Sequence, residues 1–336
     1  MKLNLFAVLA WLMVWPCVAV AGDAGPVAPK PLYRDPVYDG AADPVLVWNH
    51  SRQTWWMFYT NRRANAAGLP GVSWVHGTRI GIAESSDSGT TWKYRGTADL
   101  PVGGKEDTHW APDIVSHDGV YHMFLTFVPG THNDWSGERR LVHLTSPDLV
   151  KWNNEGQIPF ASDRVLDASV LRMPDGTWRM WYNDERAGKT IFLAESLDLK
   201  TWTERGKAIG DRGEGPKAFR WSGCYWLIVD QWEKGLAVYR STDGRDWTKQ
   251  PESLLIAPGT GEDDKVHGGH ADVVVSGSRA FLFYFTHPGR RPDTPKTETE
   301  QRRSSIQVVE LKYENGQLTG NRDQPTHIHL TPPKQQ

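Results

Sequence analysis

A short unit that occurs four times constrains the fold of this chain most strongly. Each copy begins with Ser, carries Asp two residues later and ends on Trp, and the four Trp residues are spaced by 60, 50 and 45 positions. Ser and Asp side chains close turns by bonding nearby backbone groups, and Trp at the end of such a turn is typical of the start of a packed strand. The copies are Ser85–Trp92, Ser146–Trp152, Ser196–Trp202 and Ser241–Trp247.

Five aromatic or β-branched segments indicate how many repeats there are. Several of them follow Asp-Gly or Ser-Gly turns, and no stretch after the N-terminal segment keeps a helical period over twelve residues. Repeated antiparallel units of this kind predict an all-β fold, a five-bladed β-propeller with four-stranded antiparallel blades over residues 33–315. The five segments are residues 54–59, 120–125, 177–182, 224–229 and 280–285.

The two ends of the chain differ from the repeats. Residues 1–21 carry one Lys, an apolar run and a small-residue site ending at Ala21, a pattern that predicts a secretory signal peptide and a periplasmic or secreted protein. A retained apolar anchor is the alternative. Residues 316–336 are predicted as a C-terminal tail, either poorly ordered or closing the ring with a strand. Residues 290–303 are predicted as a long surface loop within the last blade.

Charge and cysteine content exclude several classes of partner. Without residues 1–21 the chain has 37 basic (38 less Lys2) and 40 acidic residues, a net charge of −3, which gives no reason to expect nucleic acid or an anionic membrane as a partner. No obligate protein partner is evident. Cys224 would then be the only cysteine, so an internal disulfide is excluded. Seventeen Trp residues favour a carbohydrate ligand, because indole faces stack on sugar rings.

Three acidic residues stand at the start of similar segments, Asp43 in Ala-Ala-Asp-Pro, Asp167 in Leu-Asp-Ala-Ser and Glu214 in Gly-Glu-Gly-Pro. Repetition around a ring predicts that they occupy equivalent strand ends in blades one, three and four and meet at the central channel. Cleavage of a glycosidic bond needs a protonated carboxyl for the leaving oxygen and an ionised one to activate water or attack the sugar. Asp39 is an alternative to Asp43 as the ionised group.

These motifs, together with Trp-Ala-Pro-Asp at 110–113 and Gly-His at 269–270, resemble glycoside hydrolase family 43, a family of five-bladed propellers. The resemblance implies that Asp43 is the general base, Glu214 the general acid and Asp167 the residue that tunes and orients the acid. It also implies that Trp110 and Asp113 line the pocket. His270 matches an axial histidine near a bound water or cation, so no cofactor is required but a structural Ca²⁺ or other cation in the channel is possible.

Further substrate-binding residues are expected in loops over the presumed active face. The insert at 71–79 is bounded by glycine and predicts an exposed binding loop with Trp74, His76 and Arg79. His109 is a weaker candidate, as is Trp135. Long loops at 62–78, 129–139 and 288–303 favour a walled pocket and therefore exo action.

The sequence thus predicts a secreted, exo-acting, inverting glycosidase of polysaccharide degradation that removes a terminal furanosyl or pentosyl residue, as an α-L-arabinofuranosidase does. A β-xylosidase or a galactofuranosidase remains an alternative. So does a propeller that only binds glycans, although it would gain nothing from paired carboxylates. A sialidase is disfavoured by the five repeats, and a fructan-cleaving enzyme is disfavoured because Glu214 is followed by Gly and not by Cys.

Overall fold

The computed structural model describes residues 25–333, so the predicted signal peptide lies outside the described residues. In residues 25–333, twenty strands form five four-stranded antiparallel sheets, and each sheet is made of four consecutive strands. The prediction of a five-bladed propeller with four-stranded blades is therefore confirmed. Among the same residues, no helix has the length and apolar character needed to cross a membrane.

The first three blades occupy the N-terminal part of the ring. Blade one contains β1 Ala41–Asn49, β2 Thr54–Asn61, β3 Arg79–Ser85 and β4 Lys93–Thr97. Blade two contains β5 Thr108–His117, β6 Val120–Val128, β7 Arg140–Ser146 and β8 Asn153–Gln157. Blade three contains β9 Val165–Arg172, β10 Trp178–Asp184, β11 Thr190–Ser196 and β12 Thr203–Arg212.

The last two blades complete the ring. Blade four contains β13 Glu214–Trp221, β14 Cys224–Asp230, β15 Leu236–Ser241 and β16 Thr248–Lys249. Blade five contains β17 Gly269–Ser276, β18 Arg279–Thr286, β19 Ser305–Glu314 and β20 Gln317–Gly320. The predicted loop at 290–303 lies between β18 and β19 and includes the short helix α1 Glu298–Arg302.

The repeated turn has the role predicted for it. Each of the four Trp residues directly precedes the fourth strand of its blade. In blade three, the Asp198 carboxylate accepts the backbone N–H groups of Lys200 and Thr201 at 2.9 and 2.7 Å, and the Trp202 indole donates to Leu199 O at 3.0 Å. The turn therefore fixes the Trp side chain against the core, where it packs with Phe124 and the rest of the cluster between blades two and three.

The ends of the described chain close the ring. Ala28 N donates to Thr326 O at 2.8 Å, and Ile328 N donates to Pro26 O at 2.9 Å. The side chains of Ile328 and Leu330 are fully buried in the core between blades one and five. Residues 321–333 are thus anchored by buried side chains, and within that range they form no strand of the sheet. β20 lies beyond the boundary at 315 that the sequence analysis gave to the propeller.

The first strands β1, β5, β9, β13 and β17 are the innermost, and each contacts the next around the channel, with β17 contacting β1. Because the second strand of each blade runs antiparallel to the first, the loop after each second strand lies at the end of the channel where the first strands begin. Ten segments, the five strand starts and these five loops, therefore meet on one face.

Candidate active site

A cavity of about 430 Å³ opens at this end of the channel. The first strands contribute Asp43, Trp110, Asp167, Glu214 and His270 to its lining. Every loop that follows a second strand also reaches it. Those loops contribute Arg62 and Trp74 in blade one, Trp135 and Arg139 in blade two, Glu185 and Lys189 in blade three, Trp232 and Glu233 in blade four, and His287 and Arg290 in blade five.

A β-bulge at the start of each first strand turns the backbone at the cavity. The register of every first-strand pairing shifts there, and one residue of each bulge has a positive φ. A bulge redirects side chains locally, and Asp tolerates the left-handed region better than most residues. The five residues with positive φ are Asp43 (52°), Ala111 (31°), Asp167 (55°), Gly215 (53°) and His270 (21°).

Glu214 does not occupy the position equivalent to Asp43 and Asp167, and this corrects the prediction made from the sequence. The bulge residue of blade four is Gly215, and Glu214 lies one residue before it. A Cβ at position 215 would lie 2.7 Å from the His270 ring, so glycine is required by space as well as by φ. Gly215 N donates to Asp167 Oδ2 at 3.0 Å, which ties the segment carrying Glu214 to Asp167.

Asp43, the predicted base, is held in its ionised form. Its two carboxylate oxygens accept from Nη2 of Arg62 at 2.9 and 3.0 Å, and His270 Nδ1 lies 3.5 Å from Oδ1. Burial raises the pKa of Asp43, but the Arg62 guanidinium, His270 and a hydrogen bond from Thr60 outweigh it, so the net shift is downward. Asp43 is 5% exposed, so this charge is compensated by protein groups and not by bulk water.

The pKa values of Glu214 and Asp167 are shifted in the opposite direction, upward. Burial raises the pKa of Glu214, and the Asp43 carboxylate adds to this, against Lys189 and the Trp232 side chain. Burial also raises the pKa of Asp167 well above its usual range, followed by repulsion from Glu214 and Asp43. Because these carboxyls interact, their protons belong to the group as a whole. The cavity therefore combines one ionised carboxylate with carboxyls that retain protons.

Asp39, the alternative base, points elsewhere. Its carboxylate pairs with the Arg34 guanidinium, with Arg34 Nε 2.9 Å from Oδ1, and it is not among the residues that line the cavity. Of the two candidates from this segment, only Asp43 lines the cavity that also contains Glu214.

Asp113 lies deeper in the channel than predicted. Its carboxylate accepts from Lys217 Nζ at 2.9 Å and from Val170 N at 2.7 Å, and it does not line the cavity. Lys217 Nζ also pairs with Asp272 Oδ1 at 2.7 Å, and Asp272 accepts from Leu46 N at 2.8 Å. Each of these three charged residues comes two positions after the bulge residue of its blade, so together they form a second layer below the catalytic candidates.

These contacts do not fit the cation predicted near His270. Within residues 25–333 no group of three or more His, Cys, Asp or Glu side chains is arranged to hold a metal ion. The His270 imidazole faces Asp43, and the carboxylates of the second layer already share the Lys217 ammonium. His270 lines the cavity as predicted, and the positive charge of the channel below it is supplied by the chain itself.

Three tryptophans form one wall of the cavity. Trp74 and Trp110 are buried with faces on the cavity, and Trp135 is 54% exposed at the rim. Trp110 donates to Val75 O at 2.6 Å, and the Arg139 guanidinium lies 5.5 Å from its ring centre. Arg139 in turn pairs with Glu185 at 3.0 Å. Trp74 and Trp110 thus both lie in the lining of the cavity, and their roles in substrate binding stay predictions.

His76, Arg79 and His109 do not line the cavity, and the 71–79 insert is folded in, not exposed. His76 is fully buried behind the wall, 4.9 Å from the Trp110 ring centre and 6.2 Å from that of Trp135, and burial lowers its pKa to about 4. Arg79 donates to Asp107 O at 2.7 Å, and His109 Nε2 lies 3.0 Å from Val102 O. These residues support the loops that carry the wall.

Several cavity residues were missed in the sequence because they end or follow second strands, which carry no motif. Arg62 and Asp230 are the most important, since one clamps Asp43 and the other lies beside Glu214. A signal for Asp230 exists in the repeats, where Thr60, Thr126 and Asn183 hold the same register position and only blade four has a carboxylate.

Comparisons with known proteins agree with this geometry. A family model described as Glycosyl hydrolases family 43 matches residues 74–318, a range that includes Asp167 and Glu214 and begins after Asp43. The crystal structure of a thermostable family-43 glycoside hydrolase has a TM-score of 0.64 at 18% identity and covers 90% of this chain and 100% of its own.

Two other similar structures have substrates in their descriptions. A β-xylosidase/α-arabinofuranosidase of family 43 from a compost microbial metagenome, in complex with xylotriose and in a calcium-free form, has a TM-score of 0.61 at 15% identity and covers 84% of this chain and 94% of its own. An exo-1,5-α-L-arabinanase from a bovine ruminal metagenomic library has a TM-score of 0.57 at 16% identity and covers 86% and 99%. Identities this low show a shared fold.

Proposed function

The chain belongs to glycosyl hydrolases family 43 and is a glycoside hydrolase, and from that premise we propose that it is an exo-acting, inverting enzyme that removes a terminal pentosyl or furanosyl residue, with an α-L-arabinofuranoside as the first candidate. A β-xyloside is the second candidate, and a galactofuranoside the third.

One observation carries the proposal: Asp43 and Glu214 line the same cavity, and their surroundings shift their pKa values in opposite directions. The Arg62 clamp keeps Asp43 ionised, as a base that removes a proton from water must be. Burial and the Asp43 carboxylate raise the pKa of Glu214, which favours the protonated form that an acid for the leaving oxygen requires. Glycosidic hydrolysis requires two such carboxyl groups, one protonated and one ionised.

In the proposed reaction a water molecule beside Asp43 attacks the anomeric carbon while Glu214 protonates the departing glycosidic oxygen. The water loses its proton to Asp43, and the C–O bond breaks as the new one forms on the opposite face of the ring. Asp167 tunes the acid, because repulsion between the Asp167 and Glu214 carboxylates favours retention of a proton by the pair. Through Gly215 N, Asp167 also orients the segment that carries Glu214. His270 lies against Asp43 and helps to fix its carboxylate.

The shape of the cavity supports exo action on a small terminal sugar. Its volume of about 430 Å³ lies within the range of roughly 300–1,000 Å³ that is usual for small-molecule sites. The loops at 62–78, 129–139 and 288–303 reach it from blades one, two and five. The descriptions of the similar structures name xylotriose, xylosidase and arabinofuranosidase activity and an exo-arabinanase, which suit a pentose.

Family 43 enzymes need no catalytic cofactor, and each step of the proposed reaction uses protein side chains and water. We also propose that the enzyme acts in the periplasm or outside the cell on a plant, algal or microbial glycan, on the basis of the apolar pattern of residues 1–21. Sequencing the N-terminus of protein exported from an expressing bacterium tests this, and a mature chain that still begins at Met1 would contradict it.

The proposed function is tested with a panel of aryl glycosides, the α-L-arabinofuranoside, β-D-xyloside and β-D-galactofuranoside, assayed with wild type and Glu214→Ala. We expect hydrolysis of one sugar class, greatly reduced in the variant. Following the reaction by ¹H NMR shows the anomer released first, and inversion is expected. A folded protein that cleaves none of the three would overturn the proposed substrate class, and release of the retained anomer would overturn the mechanism.

A further inference from the structure

A fourth acidic residue, Asp230, lies next to the proposed acid. It is the last residue of β14 and the direct partner of Glu214 in the antiparallel ladder between β13 and β14. Directly opposed residues in such a ladder have side chains within a few ångströms of each other. Both residues line the cavity, and Asp230 is 4% exposed.

The repeats indicate that a carboxylate is not needed at this position for folding. Thr60 and Thr126 hold the same register in blades one and two, and their hydroxyls accept the bulge N–H of the next blade, from Ala111 at 2.8 Å and from Asp167 at 2.9 Å. Asp230 accepts the corresponding N–H, from His270, at 2.7 Å. A neutral threonine therefore makes the same contact between blades, and the charge of Asp230 has another role.

Both oxygens of Asp230 are occupied by backbone donors. Oδ2 accepts from His270 N, and Oδ1 accepts from Trp232 N at 2.7 Å. Hydrogen bonds of this kind favour the ionised form of a carboxyl. No backbone N–H donates to the Glu214 carboxyl within residues 25–333, so of the two neighbours Glu214 is the better place for a shared proton.

No salt bridge neutralises the Asp230 and Glu214 carboxyls among the described residues. In the described part of the chain neither Asp230 nor Glu214 forms an ion pair with a Lys or Arg side chain at 4 Å or less. Burial, followed by repulsion from Glu214, raises the pKa of Asp230 to about 8, against the two backbone donors. Because the two carboxyls interact, the pair holds one proton between them at neutral pH, and the backbone donors on Asp230 favour the location of that proton on Glu214. The titratable and charged groups that line the same cavity are Asp43, Arg62, Arg139, Asp167, Glu185, Lys189, Glu233, His267, His270, His287 and Arg290.

We propose that Asp230 is a positioning residue for the glycosidase reaction, whose carboxylate, fixed by His270 N and Trp232 N, lies beside Glu214 and keeps the catalytic proton on Glu214. The inference rests on the proposed function, in which Glu214 protonates the leaving oxygen. Asp230 itself transfers no proton to the substrate. Asp230 also joins the bulge of blade five to the loop that carries Trp232. Because the Trp232 side chain hydrogen-bonds to Glu214, Asp230 influences the position of the Glu214 carboxyl as well as its proton.

The first test is the pH dependence of kcat/KM for Asp230→Asn and Asp230→Thr, the second of which installs the residue found in blades one and two. We expect the alkaline limb to move to lower pH by about one unit, a typical effect of removing one buried like charge. The loss at neutral pH should be large for aryl glycosides with poor leaving groups and small for a dinitrophenyl glycoside, which needs no acid.

The matched control is Asp211→Asn, which removes a carboxylate of β12 that pairs with Lys249 outside the cavity. Its pH profile should equal that of the wild type. If both Asp230 variants lose activity equally at every pH and with every leaving group, Asp230 only supports the fold and the proposal is overturned. Thermal unfolding of each variant shows whether the protein remains folded under assay conditions.

A second measurement does not depend on activity. In protein labelled with ¹³C at glutamate carboxyls, the Glu214 signal is identified by its absence in Glu214→Gln and titrated in wild type and Asp230→Asn. A lower pKa of Glu214 in the variant supports the proposal, and an unchanged one overturns it. If the wild type cleaves no glycoside, the proposed function fails, while this titration still decides whether Asp230 controls the proton on Glu214.

Discussion

The Arg62 guanidinium holds both carboxylate oxygens of Asp43, with Nη2 at 2.9 Å from Oδ1 and 3.0 Å from Oδ2. Arg62 is itself fixed, since its guanidinium lies 4.6 Å from the Phe285 ring centre and Nη1 lies 3.2 Å from His287 Nε2. The proposed base is thus kept ionised by a residue from the loop of its own blade that is anchored on blade five. The clamp therefore makes the charge state of the base depend on the closure of the ring.

Replacing Arg62 with Gln should raise the pKa of Asp43. The loss of an adjacent guanidinium typically shifts a carboxyl by about 1–3 units, so the acid limb of kcat/KM should move upward by about that amount while the alkaline limb changes less. Arg95→Gln is the control, since it removes an arginine that pairs with Glu84 away from the cavity. An acid limb that stays in place in Arg62→Gln would show that Asp43 is not the group that titrates there.

The two catalytic candidates should respond differently to the leaving group. General acid–base groups contribute about 10²–10⁴-fold to the rate, and we expect Glu214→Gln to lose this factor with alkyl or oligosaccharide leaving groups. With a dinitrophenyl leaving group the variant should approach the wild type, because the departing phenolate needs no proton. Asp43→Asn should stay impaired with both, and equal recovery of the two variants would contradict the assignment of base and acid.

The wild-type pH profile should be a broad bell. Asp43 must be ionised, so activity appears as the pH rises through a pKa that Arg62 and His270 hold below the usual value of 3.8. Glu214 must be protonated, so activity is lost as the pH rises through the raised pKa of the acidic group, above the usual 4.5. The apparent pKa values measured from these two limbs belong to the group of interacting carboxyls and not to single residues. Measuring kcat/KM across pH 3–10 checks this, and a profile that falls below pH 5 on its alkaline side would contradict it.

The architecture was predictable because its signals are local. The Ser–Asp–Trp turns form through bonds between residues two to four positions apart, so each copy, such as Ser196–Trp202, indicates a blade edge by itself. Strand type and number followed from the aromatic segments between these turns. The extent of the last blade was missed, because the strand β20 Gln317–Gly320 is not preceded by a Ser–Asp–Trp turn. Its local signal is the Asn315-Gly316 pair, whose positive φ angles form the hairpin turn between β19 and β20.

The site was predictable only in part, since its charges come from segments far apart in sequence. The one-residue offset of Glu214 could have been found by aligning the prolines of the repeats, because Pro44 and Pro216 follow Asp43 and Gly215, respectively. Nothing local marks Arg62 as the clamp of Asp43. The burial of His76 was likewise missed, because an insert bounded by glycines is typical of an exposed loop. In the structure, His132 and Trp135 of the 129–139 loop pack against His76.

The second layer of the channel should stabilise the fold without a metal. Burial lowers the pKa of Lys217, but the Asp113 and Asp272 carboxylates raise it by more, so the net shift is upward and the ammonium stays charged between them. Lys217→Met leaves two buried carboxylates without a cation, which should cost about 3–5 kcal/mol in the free energy of unfolding. Adding Asp113→Asn and Asp272→Asn to this variant should restore part of the loss in urea unfolding. Ca²⁺ and EDTA should leave the wild-type melting temperature unchanged, and a rise with Ca²⁺ would show a cation site.

Trp135 should determine how well the enzyme holds the part of the substrate beyond the terminal sugar. Its indole is 54% exposed at the rim of the cavity, and Arg139 fixes its backbone by donating from Nη2 to Trp135 O at 3.1 Å. Stacking on an aromatic face contributes about 0.5–1.5 kcal/mol, so Trp135→Ala should raise KM for a trisaccharide by up to about tenfold. KM for a simple aryl glycoside should change less than about twofold by the same reasoning, since only the terminal sugar lies deeper in the cavity. Leu197→Ala, an exposed apolar residue in a turn of blade three, is the control and should change neither value. An equal rise for both substrates would instead place Trp135 against the terminal sugar.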